Sequence, residues 1–548
     1  MRRYSSVWVA LLGIIVGVLL VLTVQKIGSD RRRIKAEYQD WRKLNLVLQA
    51  LDENYVEDVD KQAVTDAAIS SALSALDPHS VYLPPADLEE ADTELAGNFD
   101  GIGIQFNIPN DTAVVLEVVP GGPSERIGLQ TGDRILKVDE KVIAGVGCPQ
   151  DSMVRRMRGP SGSKVSLTVL RDGEKISFEI TSGKIPVNSV DAAFMVDDTT
   201  GYIRISKFAA TTASEVYEAC SRLLGEGMSY LIMDLRDNGG GFFDQAIYIC
   251  ELLLKKGSGI VYLEGRKRSR VDYLSTRAGG AMTEVGLSVL INENSASSSE
   301  IVAGAIQDND RGLIVGRRSF GKGLVQEPLY FTDGSGLRIT VARYHTPSGR
   351  CIQKPYSGGE DYLYDIYNRY NSGEMLEADS IKLDKSVEYY TSGGRVVYGG
   401  GGIVPDVFVP IDTTRASAFY QACNKKATAM RFASAYFDSH KAELQSISDF
   451  GRLVRYLDSA GLEAKFLQFA ASKDGLKPAS KSEWDEEKSY MMTSVRALVG
   501  RYSQLKDTAF YRIYLDIDTA FKAAMDSRVS PLSDGLVKQH RGGDADVE

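Results

Sequence analysis

Histidine and cysteine are scarce in this chain. Among 548 residues there are four histidines, at positions 79, 345, 440 and 540, and five cysteines, at 148, 220, 250, 351 and 423. No His-Glu-x-x-His or paired Cys-x-x-Cys spacing occurs, so no metal is expected, and no motif calls for an organic cofactor. Five scattered cysteines do not form a disulfide framework, because an odd number leaves at least one unpaired within the chain. Cys220 and Cys250 fall in apolar helical patterns and read as buried thiols. A Ser-His-Asp triad needs a histidine beside its serine. His540 lies in a polar tail, and His79 and His345 are the histidines that stay open as such a base. Positive charge is also short, with 64 Lys and Arg against 73 Asp and Glu, a formal net charge of −9. General nucleic-acid binding is therefore not expected, and the cluster Arg266-Lys267-Arg268 with Arg270 reads as a solvated face.

The chain does contain one long uncharged run, Val7 to Val24, behind Arg2 and Arg3. Its length is just enough to span a bilayer's hydrocarbon core, and no small-x-small cleavage site follows it, so an uncleaved anchor is favoured over a signal peptide. Arg2 and Arg3 favour a cytoplasmic N-terminus, whereas Lys26, Arg31, Arg32, Arg33 and Lys35 on the other flank pull the opposite way.

Two segments carry chemistry. The apolar stretch Val285 to Ile291 leads into Asn294-Ser295-Ala296-Ser297-Ser298-Ser299-Glu300, and Ser319-Phe320-Gly321-Lys322-Gly323-Leu324-Val325-Gln326 follows about two dozen residues later. That order reads as strand, turn, helix, strand, with a serine at the turn and a lysine downstream. A serine hydroxyl needs a base, and lysine can serve only when neutral, a state that burial favours. Glycines on both sides of Lys322 let its backbone enter a crowded pocket. A serine and a lysine at this spacing also arise by chance, as a helix cap and a glycine turn, so the neighbouring segments must decide. One such segment is the buried strand Tyr230 to Arg236, which runs into Asp237-Asn238-Gly239-Gly240-Gly241 ahead of a helical pattern near Phe242. Glycines there permit close approach of backbone amides, as an anion-binding loop requires.

Together, Ser295 to Asp308, Phe320 to Gln326 and Asp234 to Gly241 resemble the signature segments of the C-terminal processing peptidases, the Ser/Lys proteases of peptidase family S41. The resemblance implies that Ser297 is the nucleophile, Lys322 the general base, and Gln326, one helical turn on, the residue that orients the base. It also implies an oxyanion hole of the Gly241 amide, or failing that Gly240, joined by the amide of Ser298. Ser298 stands where the family often has alanine, a change that matters little for a residue contributing its backbone N–H.

Phe99-Asp100-Gly101-Ile102-Gly103-Ile104, Ala113 to Val119, Pro120-Gly121-Gly122-Pro123 and Gly132 to Val138 look like a PDZ domain that runs to about Ser182. A loop such as Gly101-Ile102-Gly103-Ile104 exposes N–H groups for a peptide's terminal carboxylate, and the adjoining strand edge accepts the peptide as an added strand. Arg158, at a turn of this module, is a candidate for coupling peptide binding to Lys322, although a charge on a turn is ordinarily just solvated.

From 184 to 412, strand and helical patterns alternate, which argues for an α/β core. The family core is similar to the crotonase and Clp protease type, and Leu337 to Arg350 and Gly402 to Asp406 also fit it. Tyr356 to Tyr398, where the family is usually shorter, is either an insertion over the active-site rim or a loop without a role. Past 413 the pattern is helical, with apolar spacing at Leu453 to Leu467 and Val495 to Ile517, and the last dozen residues read as disordered.

The expected organisation is a multidomain α/β protein. It has an anchor or signal segment at 1–28, a helical region at 29–97, a PDZ domain at 98–183, a protease core at 184–412 and a C-terminal helical domain at 413–548. The resemblance implies a serine endopeptidase acting on proteins or peptides with free C-termini in envelope protein processing or degradation. Its place would be the bacterial inner membrane, single-pass, with the catalytic domains in the periplasm. A second copy of the chain or an adaptor protein is the further partner left open. The rivals are a catalytically silent PDZ scaffold and a penicillin-binding type of hydrolase. For the latter, Ser161-Gly162-Ser163-Lys164 and Ser503-Gln504-Leu505-Lys506 lack the accompanying motifs.

Overall fold

The computed structural model describes residues 42–528, apart from 110, 187, 277–279, 357–361, 363 and 414–416. The expected anchor at Val7 to Val24 and the polar tail with His540 lie outside the described residues. The chain divides into two compact units after Tyr82. In the first, the helix Lys61–Ser74 is capped by Asp60, whose carboxylate accepts the Ala63 N–H at 3.0 Å. Asp77 then binds the amides of His79 and Ser80, each at 2.8 Å, so the His79 segment is a carboxylate-held turn.

The second unit, from Leu83, holds the rest. Its PDZ-type module is an antiparallel sheet in the order Ile104–Asn107, Ala113–Val118, Arg134–Val138, Lys164–Arg171, Glu174–Thr181. Strand periodicity explains its core: Val165, Leu167 and Val169 are buried while Lys164 is exposed. Met153 and Met157, one turn apart on the helix Gln150–Met157, share that core. Outside the sheet, Asn98–Gly101 pairs with Gly183–Pro186, so both ends of the module leave through one two-stranded junction.

The core sheet runs Val190–Met195, Thr200–Ile205, Tyr230–Asp234, Gly286–Ile291, Leu313–Gly316, Val407–Phe408, and is parallel beyond its first pair. Its central strands are continuous apolar runs because both faces are covered. Leu231, Met233, Val289 and Ile291 pack with residues of the helices Thr212–Gly225, Phe243–Leu253 and Ser298–Asp308. Tyr202, Ile232 and Leu290, of opposite parity, pack against Leu515, Phe521 and Ala524 from the chain's C-terminal end. A second, antiparallel sheet centres on Gly336–His345, flanked by Leu324–Tyr330 and by Gly259–Gly265.

The C-terminal region is helical as expected, with the apolar run Leu453 to Leu467 split between Phe450–Ser459 and Leu462–Phe469 at Gly461. Its helices pack on their own core and on the PDZ module within the same chain. Gly132 leaves room for the Phe437 ring, which a Cβ there would meet at 2.8 Å, and ion pairs join Arg134 to Asp438 and Lys506 to Glu117. All five cysteines are free, and burial pushes the Cys220 thiol up to about 12.

Candidate active site

Ser297 sits at the turn between the strand Gly286–Ile291 and the helix Ser298–Asp308, with φ 55° and ψ −115°. A non-glycine residue in that region stores about 1–3 kcal/mol of strain, which the surroundings must hold in place. Asn238, fully buried, does much of the holding. Its side chain donates to the Ile205 carbonyl and accepts the Gly240 N–H, both at 2.9 Å, and its own carbonyl takes the Ala296 N–H at 3.0 Å and the Ser299 hydroxyl at 2.8 Å. Gly240 has to be glycine, since a Cβ would lie 2.7 Å from that of Ser297.

The glycine loop thus abuts the serine. The Gly240 amide is committed to Asn238. Among the described residues the amides of Gly241 and Ser298 have no acceptor. The Ser298 hydroxyl donates to the Gly241 carbonyl at 3.1 Å, tying the two segments together.

Glu300, whose role the sequence reading missed, joins serine to lysine. It is completely buried, and one oxygen, Oε2, accepts the N–H of Ser297 and the N–H of Lys322, each at 2.9 Å. The other, Oε1, accepts the Ser319 hydroxyl at 2.5 Å and the Gly321 N–H at 2.7 Å. Burial pushes the carboxyl above the ordinary range, against the pull of those four donors. A glutamate three residues after a serine at a helix start is the capping-box pattern, the signal that could have found it. Tyr344 adds a second link, its hydroxyl lying 3.1 Å from the Ser297 carbonyl and also against that of Lys322. Burial, and then the Glu300 charge, hold its phenol protonated as a donor.

Gln326 departs from expectation in its setting. It lies on the strand Leu324–Tyr330, not one helical turn beyond the lysine, because this segment pairs with Gly336–His345. Its Nε2 donates to Thr340 Oγ1 at 3.2 Å. Ser297, Ser298, Lys322, Gln326, Gly240 and Gly241 all line one cleft of about 570 Å³, with Phe242, Phe243 and Ile301 on its apolar side. His345 and His440 are elsewhere, stacked on Tyr262 and Tyr436 with ring centroids 4.6 and 4.0 Å apart.

In the PDZ-type module, Gly101, Ile102 and Gly103 are buried, and Ile104 opens the sheet's edge strand. The carbonyls of Ile102 and Gly103 are tied inward to the amides of Ser124 and Val119, each at 3.0 Å, while their own amides have no acceptor among the described residues. Arg158 is not merely solvated: its guanidinium lies over the Phe99 ring, 5.3 Å from the centroid, at the two-stranded junction.

Comparison with known proteins bears on this arrangement. The model of peptidase family S41 matches residues 199–359, a PDZ domain model matches 101–181, and a model of the activating protease CtpB N-terminal domain matches 19–86. The carboxy-terminal-processing protease of Bartonella bacilliformis is 33% identical over 347 residues, 62% of this chain and 78% of that protein. A probable CtpA-like serine protease of Staphylococcus aureus is 32% identical over 352 residues, 62% of this chain and 70% of that one. Among solved structures, a photosystem II D1 C-terminal processing protease covers 68% of this chain and 86% of its own, at 27% identity and a TM-score of 0.37. With a PDZ domain and a serine-type peptidase core in one chain, the protein belongs to peptidase family S41, the carboxy-terminal-processing serine proteases.

Proposed function

We propose that the chain is an endopeptidase that uses Ser297 and Lys322 as its catalytic pair. The observation that carries this reading is the single carboxylate oxygen of Glu300 that takes both of their amides, at 2.9 Å each. Neutral Lys322 takes the Ser297 proton as Oγ bonds to the scissile carbonyl carbon. The new oxyanion lies between the amides of Gly241 and Ser298. Collapse breaks the C–N bond, the leaving amine takes its proton from the Lys322 ammonium, and an acyl-enzyme remains. Lys322 then takes a proton from water as that water attacks the ester, and returns it to Ser297 Oγ as the acid departs. Gln326, beside Thr340, orients the lysine.

The loop Gly101-Ile102-Gly103-Ile104 receives the substrate's terminal carboxylate, supported by the acceptor-free amides of Ile102 and Gly103. We further infer a single-pass anchor at Val7 to Val24 in a bacterial inner membrane, with catalytic domains in the periplasm and envelope proteins as substrates. The support is the uncharged run itself.

The test is hydrolysis of an unfolded protein and of a peptide with a free apolar C-terminus, by the parent and by Ser297→Ala and Lys322→Ala. Both variants should lose activity by at least about 10³-fold, and amidation of the peptide should weaken its turnover. A parent that binds the peptide without cleaving it would favour the scaffold reading, and activity surviving both substitutions would refute the pair.

A further inference from the structure

The helix Asp365–Asn371, beyond residue 359 where the match to the S41 model ends, sends an arginine into the protein behind the lysine loop. Arg369, on the helix Asp365–Asn371, is 3% exposed. Its Nε donates to Glu374 at 2.7 Å, its Nη1 to the Ser319 carbonyl at 3.1 Å and its Nη2 to the Arg318 carbonyl at 2.5 Å. Arg318 grips the same Glu374 carboxylate from the other side with two nitrogens, each at 2.7 Å, and also donates to the Gly401 carbonyl. Residues 318 and 319 are therefore pinned from outside by carbonyl contacts. Ser319, Gly321 and Lys322 are pinned from inside by Glu300. Lys354 completes the outer wall. Its ammonium lies 3.8 Å from the Phe320 ring centroid and pairs with Asp365 at 2.9 Å, and its amide donates to the Gly321 carbonyl at 2.9 Å.

A guanidinium presents N–H groups in several fixed directions, and so reaches one carboxylate and two successive carbonyls together. An ammonium on a flexible stem is a point charge that does not span the three. We propose that Arg369, oriented by Glu374, is a positioning residue for Lys322, fixing the backbone of 318–319 so that the loop carries the lysine to Ser297. The proposal rests on Lys322 being the base. If the outer pins are lost, the loop loosens and water reaches the lysine, which favours its ammonium form. The charged and titratable groups around the loop are Glu300 and Tyr344 on the nucleophile side, Asp92, Asp244 and Arg338 across the cleft, and Arg318, Lys354, Tyr362, Asp365 and Glu374 on the outer side. All of them remain in Arg369→Lys, which also keeps the charge opposite Glu374.

The experiment is kcat and KM against pH, on a peptide with a free C-terminus, for the full chain and its Arg369→Lys, Glu374→Gln and Lys322→Ala variants. For Arg369→Lys the rising limb of kcat should move up by about one pH unit. That is roughly a tenfold loss near neutrality, recovered at alkaline pH, with KM changed less than about twofold. An unmoved limb, whether activity is unchanged or lowered equally at every pH, would overturn the proposal, since a purely structural role does not shift a titration. If Arg369→Lys does not fold, Glu374→Gln is judged by the same criterion. Activity in Lys322→Ala would instead refute the lysine base, and an inactive Lys322→Ala beside a parent-like Arg369→Lys would refute the positioning role alone.

Discussion

Asp518 grips Arg236 through both carboxylate oxygens, at 2.9 and 2.6 Å. The aspartate caps the helix Thr519–Ser527, while Arg236 lies between the strand Tyr230–Asp234 and the glycine loop. The C-terminal domain therefore reaches the segment that leads into the glycine loop beside Ser297. Arg236 also pairs with fully buried Asp234, which Arg204 and the Tyr202 hydroxyl share.

Removing one partner of a buried pair costs about 3–5 kcal/mol when the other charge is left uncompensated, and less here because Arg236 keeps Asp234. Asp518→Ala should lower the unfolding free energy by about 1–3 kcal/mol, measured by urea denaturation. It should also lower kcat while changing KM less, because in the proposed mechanism the loop beside Arg236 serves the transition state. Unchanged stability and unchanged kcat would show that the domain merely rests against the sheet.

Glu300 supports a pH prediction. Its folded carboxyl titrates above the unfolded value, chiefly through burial. The folded state then binds the proton more tightly, so this group's contribution to stability is complete below the unfolded pKa of about 4.3 and is lost as pH rises through the folded value. Comparing the unfolding free energy of parent and Glu300→Gln from pH 4 upward should show that decline in the parent alone. The variant should be poorly active throughout, because an amide nitrogen cannot accept the N–H groups that the carboxylate takes. A parallel pH dependence in both proteins would rule out Glu300 as its source.

How far this site was legible depended on how local its parts are. Ser297, Lys322 and the loop Asp237 to Gly241 each lie in a strand-to-turn segment whose pattern is complete within a dozen residues. Gln326 was given the wrong setting, because four residues make a helical turn and equally two repeats of a strand. Only the distant partner Gly336–His345 decides between them. Glu300 lay within a recognised segment, yet its bond to the Lys322 amide crosses 22 residues and left no periodic trace. Arg369 comes from a stretch without hydrophobic periodicity, where the aromatic and polar composition suggested a loop. The C-terminal helices were evident from apolar spacing, but not that Leu515 and Phe521 close one face of the core sheet.

Substitutions at the serine turn should separate backbone from side chain. Ser298→Ala forfeits the hydroxyl contact to the Gly241 carbonyl, worth about 1 kcal/mol, but retains the amide, so kcat should stay within a few-fold of the parent. Gly240→Ala puts a methyl group 2.7 Å from the Ser297 Cβ and 3.0 Å from the Ser298 nitrogen, at φ +100°. The turn must open, and loss of oxyanion alignment should cost about 10²–10³-fold in kcat. Kinetics showing the reverse order would mean that the Ser298 hydroxyl, not its amide, serves the reaction.

Arg158 allows the PDZ module to be tested apart from the cleft. Its guanidinium over Phe99 bridges the helix end at Met157 to the strand Asn98–Gly101, one half of the junction through which the module joins the core. A contact of this kind contributes about 0.5–1 kcal/mol when partly exposed, enough to bias how the module sits without unfolding it. Under the proposed capture, substrates held by a free C-terminus would depend on that placement, whereas short amidated peptides would enter the cleft without the module. Arg158→Ala should therefore slow turnover of the former several-fold and leave the latter unchanged. Equal slowing of both would locate the effect in the catalytic cleft, and no slowing of either would make Arg158 a packing residue only.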